Sequence, residues 1–189
     1  LDRNTMLKTV GVIFARQPAM IAESTIKHDL LTQGMSARNL CDQLADFKAR
    51  SVSLLNSNHY VIGSDQTLEC DGYIASKVND LHGAREVLKR LEGRTHSLFS
   101  AVVVYHQGIP VWRCVDEAKL TMYALDNKAI DQYLDKVGNS ILSSVGCYHI
   151  EGLGAQLFTK VVGDYFTVLG MPLLQLLNFL KLHRIGGLK

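Results

Sequence analysis

The sequence predicts an α/β fold in which a mixed central sheet is flanked by helices. Three observations carry that prediction. Runs rich in β-formers alternate along the chain with segments whose apolar residues recur at helical spacing. A strongly apolar run, Ser97 to Tyr105, is separated from a partner run, Val111 to Tyr123, only by a short turn holding Gly108 and Pro110. They must pair antiparallel, while other strands are linked through helices. The chain has 189 residues, 47% hydrophobic and 20% charged. A chain of that length buries roughly 70% of its unfolded surface and needs no covalent staple.

The elements follow in order. Asn39 to Leu55 places Leu40, Leu44, Phe47, Ser51 and Leu54–Leu55 on one stripe, with Asp42, Asp46, Lys48 and Arg50 elsewhere, which is helical spacing. Tyr60 to Gly63 is β-rich and ends in Ser64-Asp65. Thr67 to Ile74 reads as a hairpin turning at Asp71-Gly72. Asp80 caps a helix whose apolar face is Leu81, Ala84, Leu88 and Leu91, and Gly93 ends it. After the antiparallel pair, Asp126 caps a helix carrying Ala129, Ile130, Tyr133, Leu134 and Val137, terminated by Gly138. Val145 to Ile150 and Leu157 to Val162 read as strands, and Pro172 starts a last helix. No repeat or composition shift marks a boundary, so residues 1–189 are expected to form a single domain.

Several function classes are disfavoured at once. A net charge of +2, with no basic stripe interleaved with aromatics, argues against nucleic-acid binding. No run of 18 apolar residues exists, so no membrane span is expected, and no charged-then-apolar leader is visible, so nothing suggests secretion. Cys41, Cys70, Cys114 and Cys147 form no CxxC pair and no zinc spacing, so free thiols are expected. No P-loop, strand–helix GxGxxG or GxSxG is present.

Residue types narrow the candidates for chemistry. Asp65, placed at the end of an apolar strand, is either a turn aspartate or a half-desolvated carboxylate able to hold a metal or take a proton from water. Lys48 on the first long helix and Lys77 after the hairpin are either solvated lysines or anion ligands. Gly152 and Gly154 form either a tight turn or a place where backbone approaches a ligand. His96 sits at a helix–strand junction, and Trp112 lies in a strand as core or half-exposed surface.

Taken in order, five blocks resemble the Maf family of nucleotide pyrophosphatases. They are VIGSDQT (Val61 to Thr67), IASK ending at Lys77, LEGRTHS (Leu91 to Ser97), VGCYHIEGLGAQLF (Val145 to Phe158) and VVGDYFTVLGMPL (Val161 to Leu173). The resemblance spans nearly the whole chain. It implies a mixed α/β fold with an elongated sheet and two lobes around a cleft, similar to inosine triphosphate pyrophosphatases. It also implies hydrolysis of a nucleoside triphosphate to the monophosphate and pyrophosphate with a divalent metal, Mg2+ or Mn2+. A homodimeric, cytoplasmic house-cleaning enzyme, in some members linked to septum formation, is the expected setting.

By position, the resemblance makes Asp65 the catalytic carboxylate and Lys77 the lysine of the family's GKP motif. Lys48 becomes the lysine of the helical A-x-x-K-A motif, and Glu23 the surviving member of an Asp-Glu pair. Asp65 and Glu23 would then hold the metal, while Lys48, Lys77 and Arg3 bind phosphate. A triphosphate carries about four negative charges, which two lysines and a metal can neutralise. Asp65-Gln66 and Glu151-Gly152 resemble the subgroup acting on 7-methyl-GTP, whereas the dTTP/UTP subgroup shows Asp-Thr and Gln-Gly. Gln66 and Glu151 are therefore the expected specificity residues; a carboxylate such as Glu151 can accept hydrogen bonds from a guanine edge.

Departures from the pattern are also visible. GKP becomes Ser76-Lys77-Val78, and Ala22 replaces the Asp of the pair. The family's opening S-x-S-P-x-R-R turn, which would cradle phosphate, is reduced to Asp2-Arg3-Asn4. Because the chain begins with Leu1, a longer natural protein carrying that turn is expected. The alternative reading is a Maf-like binding or regulatory protein of cell division with a degenerate catalytic site.

Overall fold

A computed structural model describes residues 2–187. In chain order the helices are α1 (Arg3–Thr9), α2 (Glu23–Thr32), α3 (Ala37–Ser53), α4 (Leu81–Leu91), α5 (Asn127–Val137), α6 (Tyr165–Val168) and α7 (Leu173–Leu182). The strands are β1 (Val61–Cys70), β2 (Tyr73–Ile74), β3 (Thr95–His106), β4 (Ile109–Met122) and β5 (Phe158–Val162), in the sheet order β2-β1-β3-β4-β5. The fold class is the mixed α/β one expected, with helices flanking a sheet that is itself antiparallel. Everything between β1 and β3 stays in one compact unit, Thr67–Leu98. β3 therefore starts from the end where β1 finishes and runs back.

The chain divides into two compact units. The first combines the chain up to Gln66 with Phe99–Asp116 and the chain from Asp164 onward. The second is Thr67–Leu98 with Glu117–Gly163.

The first unit is built in three layers, and the two-residue period of β3 explains them. Ala101, Val103 and Tyr105 pack on Cys41, Ala45 and Ala49 of α3. The alternate residues Val102 and Val104 pack on Met6 and Leu7 of α1 and on Leu173, Leu176, Phe179 and Leu180 of α7. Trp112, half-buried against the second of these clusters, stacks on Phe179 at a ring separation of 5.3 Å. Arg113 of β4 also ties α3 down, donating to Asp42 at 2.7 Å and to Asp46 at 2.6 Å.

The second unit packs α4 and α5 together, with an Arg85–Asp131 ion pair at 2.7 Å on its surface. The caps work as the sequence implies. Asp80 accepts from the Gly83 N–H and Asp126 from the Ala129 N–H, each at 2.7 Å, and Gly138 ends α5 at φ 56°. Asp71 and Gly72 both adopt positive φ (50° and 81°), the turn an Asp-Gly hairpin requires. None of the four cysteines, all among the described residues, is in a disulfide, and no helix among those residues is long and apolar enough to cross a membrane.

Two element assignments need correction. β1 does not stop at Ser64-Asp65; it runs unbroken to Cys70, which puts Asp65 in mid-strand. Residues 145–150 form turns rather than a strand. Cys147 has φ 55°, outside the strand region, and a Cβ on Gly146 would lie 2.4 Å from the Tyr148 ring, so the backbone folds beneath that ring. Buried Cys147 and Tyr148 make the segment read as apolar, but they pack from a loop.

Tyr148 meets His96 inside the second unit. Their side chains hydrogen-bond at 2.7 Å, Phe158 lies edge-on to both rings, and His96 Nδ1 is buried without a protein partner. Burial pushes the His96 imidazole down to about 4 from 6.5. The folded chain therefore refuses a proton that the unfolded chain accepts. Stability is full above pH 6.5, falls as pH drops toward 4, and loses at most about 3 kcal/mol to this group. Denaturant melts between pH 7 and 4 are expected to show that slope in the wild type and a flatter one in His96→Phe.

Candidate active site

The site begins with a residue that has no side chain. A Cβ on Gly63 would lie 2.4 Å from the Ala45 carbonyl oxygen and 2.6 Å from the Ala49 N, both on α3. Gly63, Ala45 and Ala49 together let helix and strand meet backbone to backbone. Two residues along β1, on the same face, stands Asp65. Three residues along α3 from Ala45 stands Lys48, on the stripe that faces the strand.

The close approach brings Lys48 Nζ to 2.7 Å from Asp65 Oδ1. Glu23, the first residue of α2, reaches the same ammonium with Oε2 at 2.8 Å. The Asp65 side chain is 10% exposed, Lys48 20% and Glu23 49%, so the pair is shielded on the strand side and open toward Glu23. The Cys41 thiol lies 3.3 Å from the Asp65 carbonyl and 3.0 Å from that of Phe99, tying the first turns of α3 to the strand backbone. Three of the residues chosen from the sequence are thus brought together: Glu23, Lys48 and Asp65.

Arg3 and Gln66 are engaged on the other face of β1. Gln66 directs its amide nitrogen to Val168 O at 3.0 Å, Ser100 Oγ at 3.1 Å and Thr167 O at 3.2 Å. Arg3 donates through Nε to Gly170 O at 2.9 Å and through Nη1 to Ser64 O at 3.2 Å. Both side chains bolt β1 to the α6–α7 turn, where Gly170 takes φ 105°. Lys77 and Glu151 belong to the second unit and are exposed there, Lys77 in the loop after β2 and Glu151 in a turn. Gly154 is a place of close approach, but to the chain itself: a Cβ there would meet the His149 carbonyl oxygen at 2.5 Å, whereas Gly152 has room.

Glu23 and Asp65 suit a divalent cation of the Mg2+ kind, which takes one or two carboxylates and completes its shell with water and substrate phosphate. Among the described residues no group of three or more His, Cys, Asp or Glu could form an all-protein cage. The donor set fits a cation delivered with a phosphate ligand. A groove of about 490 Å³ in the first unit, lined by Trp112, Phe179, Leu182 and His183, contains none of the motif residues.

Gly63, Ala45 and Ala49 escaped the sequence reading as functional residues. The signal was there, in the small residues flanking Lys48 and the glycine two places before Asp65, but the contact between them is long-range and no spacing encodes it.

A family model described as Maf-like protein matches residues 1–183. A nucleoside triphosphate pyrophosphatase 1 of Jannaschia sp. is 43% identical over 96% of this chain and 91% of its own length. A nucleoside triphosphate pyrophosphatase of Caulobacter vibrioides is 44% identical over 96% and 90%. A protein named 7-methyl-GTP pyrophosphatase, from Brucella abortus, is 42% identical over 95% and 90%.

Gly63→Ala is expected to force α3 away from β1 and to cost about 1–3 kcal/mol of stability, the range for an overpacked core. Urea denaturation of the variant checks this; an unchanged midpoint would show that α3 yields freely.

Proposed function

We propose, from the premise that the chain belongs to the Maf-like protein family, that it hydrolyses a nucleoside triphosphate to the monophosphate and pyrophosphate. The observation that carries the reading is the Lys48 ammonium held between the carboxylates of Asp65 and Glu23. A carboxylate to receive the proton of water, a second to help hold a cation, and an ammonium to meet the phosphates are what hydrolysis of a phosphoanhydride asks of a protein.

In this reading water attacks the α-phosphorus and pyrophosphate departs with the electrons of the broken α–β anhydride bond. Asp65, half-desolvated in mid-strand, orients the attacking water and takes up its proton through the oxygen not bonded to Lys48. Lys48 neutralises charge on the phosphates. Glu23 and Asp65 are the residues that would hold a divalent cation, Mg2+ or Mn2+, whose chemistry is to polarise the phosphate and stabilise charge on the leaving oxygen. For Lys77 and Glu151 the roles of phosphate ligand and base-recognising carboxylate rest on the motif resemblance. The Asp65-Gln66 and Glu151-Gly152 pairs and the name carried by the Brucella relative support 7-methyl-GTP as the substrate. The setting we propose is a cytoplasmic homodimer.

The test is a panel of 7-methyl-GTP, GTP, dTTP and UTP assayed for pyrophosphate release with Mg2+ or Mn2+. 7-Methyl-GTP is expected to turn over fastest, and Asp65→Asn to lower kcat by roughly 10²-fold or more. Nucleotide binding with no pyrophosphate from any member of the panel would overturn the enzyme reading in favour of a binding or regulatory protein.

A further inference from the structure

We propose that Lys48 is the resident counter-ion of the Glu23–Asp65 pair and holds the charge position a divalent cation takes, so that the cation alone binds weakly and arrives together with the triphosphate. This rests on the function proposed above and concerns the order in which its site is filled.

The geometry carries the idea. A single Nζ lies 2.8 Å from Glu23 Oε2 and 2.7 Å from Asp65 Oδ1, so the two carboxylates already share one positive charge. Neither Lys48 nor Asp65 is well exposed, with side-chain exposures of 20% and 10%, so water screens the group poorly. A dication held by the same two carboxylates would stand beside that ammonium. Two carboxylates, one lysine and one dication sum to +1, with the like charges adjacent. Lys48 thus opposes a cation that comes alone.

The stem of Lys48 supplies the way out. It is a flexible four-carbon chain on a helix that cannot move closer to β1, because Ala45 and Ala49 already lie against the Gly63 backbone. Lys48 can swing its ammonium while its Cα stays in place. A triphosphate gives that ammonium new anionic partners, and the carboxylates are then released to the cation. Cation and nucleotide each remove the obstacle to the other, which is positive coupling between two ligands.

The experiment measures Mn2+ binding without nucleotide, by calorimetry or by the paramagnetic signal of free Mn2+. The wild type is expected to bind weakly, and Lys48→Met roughly tenfold tighter or more, as removal of an adjacent like charge in a poorly screened site requires. The gain should vanish in Lys48→Met/Asp65→Asn, which assigns it to this pair. If Lys48→Met keeps its circular dichroism and melting temperature but binds Mn2+ no tighter than the wild type, the proposal falls.

A second measurement uses the unaltered protein and does not depend on the variant folding. Saturating Mn2+ is expected to raise the reactivity of Lys48 toward an amine-directed acylating reagent, read by mass spectrometry; unchanged reactivity overturns the proposal. Neither readout uses turnover. A protein that releases no pyrophosphate but shows both effects would sink the enzymatic reading and leave the counter-ion role standing. An active enzyme showing neither would do the reverse.

Discussion

The contact on which the first unit depends is between two backbones. Helix α3 lies on β1 so closely that no side chain fits between Gly63 and the main chain at Ala45 and Ala49. Such an approach is available only to a glycine on one side and alanines on the other. The distance between the elements is set by hard atoms, so the side chains one step further along each element inherit a fixed separation. Lys48 and Asp65 are those side chains, and their 2.7 Å ion pair follows from a packing decision made two and three residues away. Rigid elements place a site more tightly than loops can. Here the strand is hydrogen-bonded to β3, and the helix is further held by Arg113 of β4 through Asp42 and Asp46.

The charge arrangement follows from the same contact. Asp65 in mid-strand is covered by α3, and a buried carboxylate without a partner is costly. Lys48 is the partner the helix can supply. Glu23 joins from the first turn of α2, a helix with no buried residue, so one member of the group stands on a loosely anchored element and two on firm ones. A site with a stiff half and a compliant half suits a substrate that must enter carrying its own charge and leave as two anions.

Much of the fold was readable because local chemistry decides it. Helix caps at Asp80 and Asp126, the stop at Gly138 and the Asp71-Gly72 hairpin turn depend on one or two residues each, and the structure places them as their side chains dictate. The pairing of β3 with β4 needed only a short turn. The strand at 145–150 was misread because its apolar residues are buried by a loop, a tertiary effect that periodicity cannot distinguish from a strand. The end of β1 was misplaced for a related reason. Ser64, Asp65 and Gln66 are poor strand formers by composition, and only the partners that satisfy them on both faces keep the strand running. The trio of Glu23, Lys48 and Asp65 was legible through motif resemblance. The glycine–alanine contact that aligns it was not, since Gly63 and Ala45 are remote in sequence.

The two faces of β1 explain why adjacent residues in one motif do different work. Side chains alternate along a strand, so Asp65 and Gln66 cannot point the same way. The odd positions, Gly63 and Asp65, look at α3 and carry the close contact and the charge. The even positions, Ser64 and Gln66, look at the α6–α7 turn, where Ser64 donates to Gly170 O at 3.3 Å and the Gln66 amide holds the carbonyls of Thr167 and Val168. Ser100 and Asp116 complete that anchorage, Ser100 donating to Thr167 O and Asp116 accepting from the Thr167 hydroxyl. The two residues of the dipeptide Asp65-Gln66 therefore serve opposite faces, Asp65 the side of α3 and Gln66 the side of the α6–α7 turn. A strand pinned from both sides cannot rotate about its axis, and a carboxylate on such a strand keeps its aim.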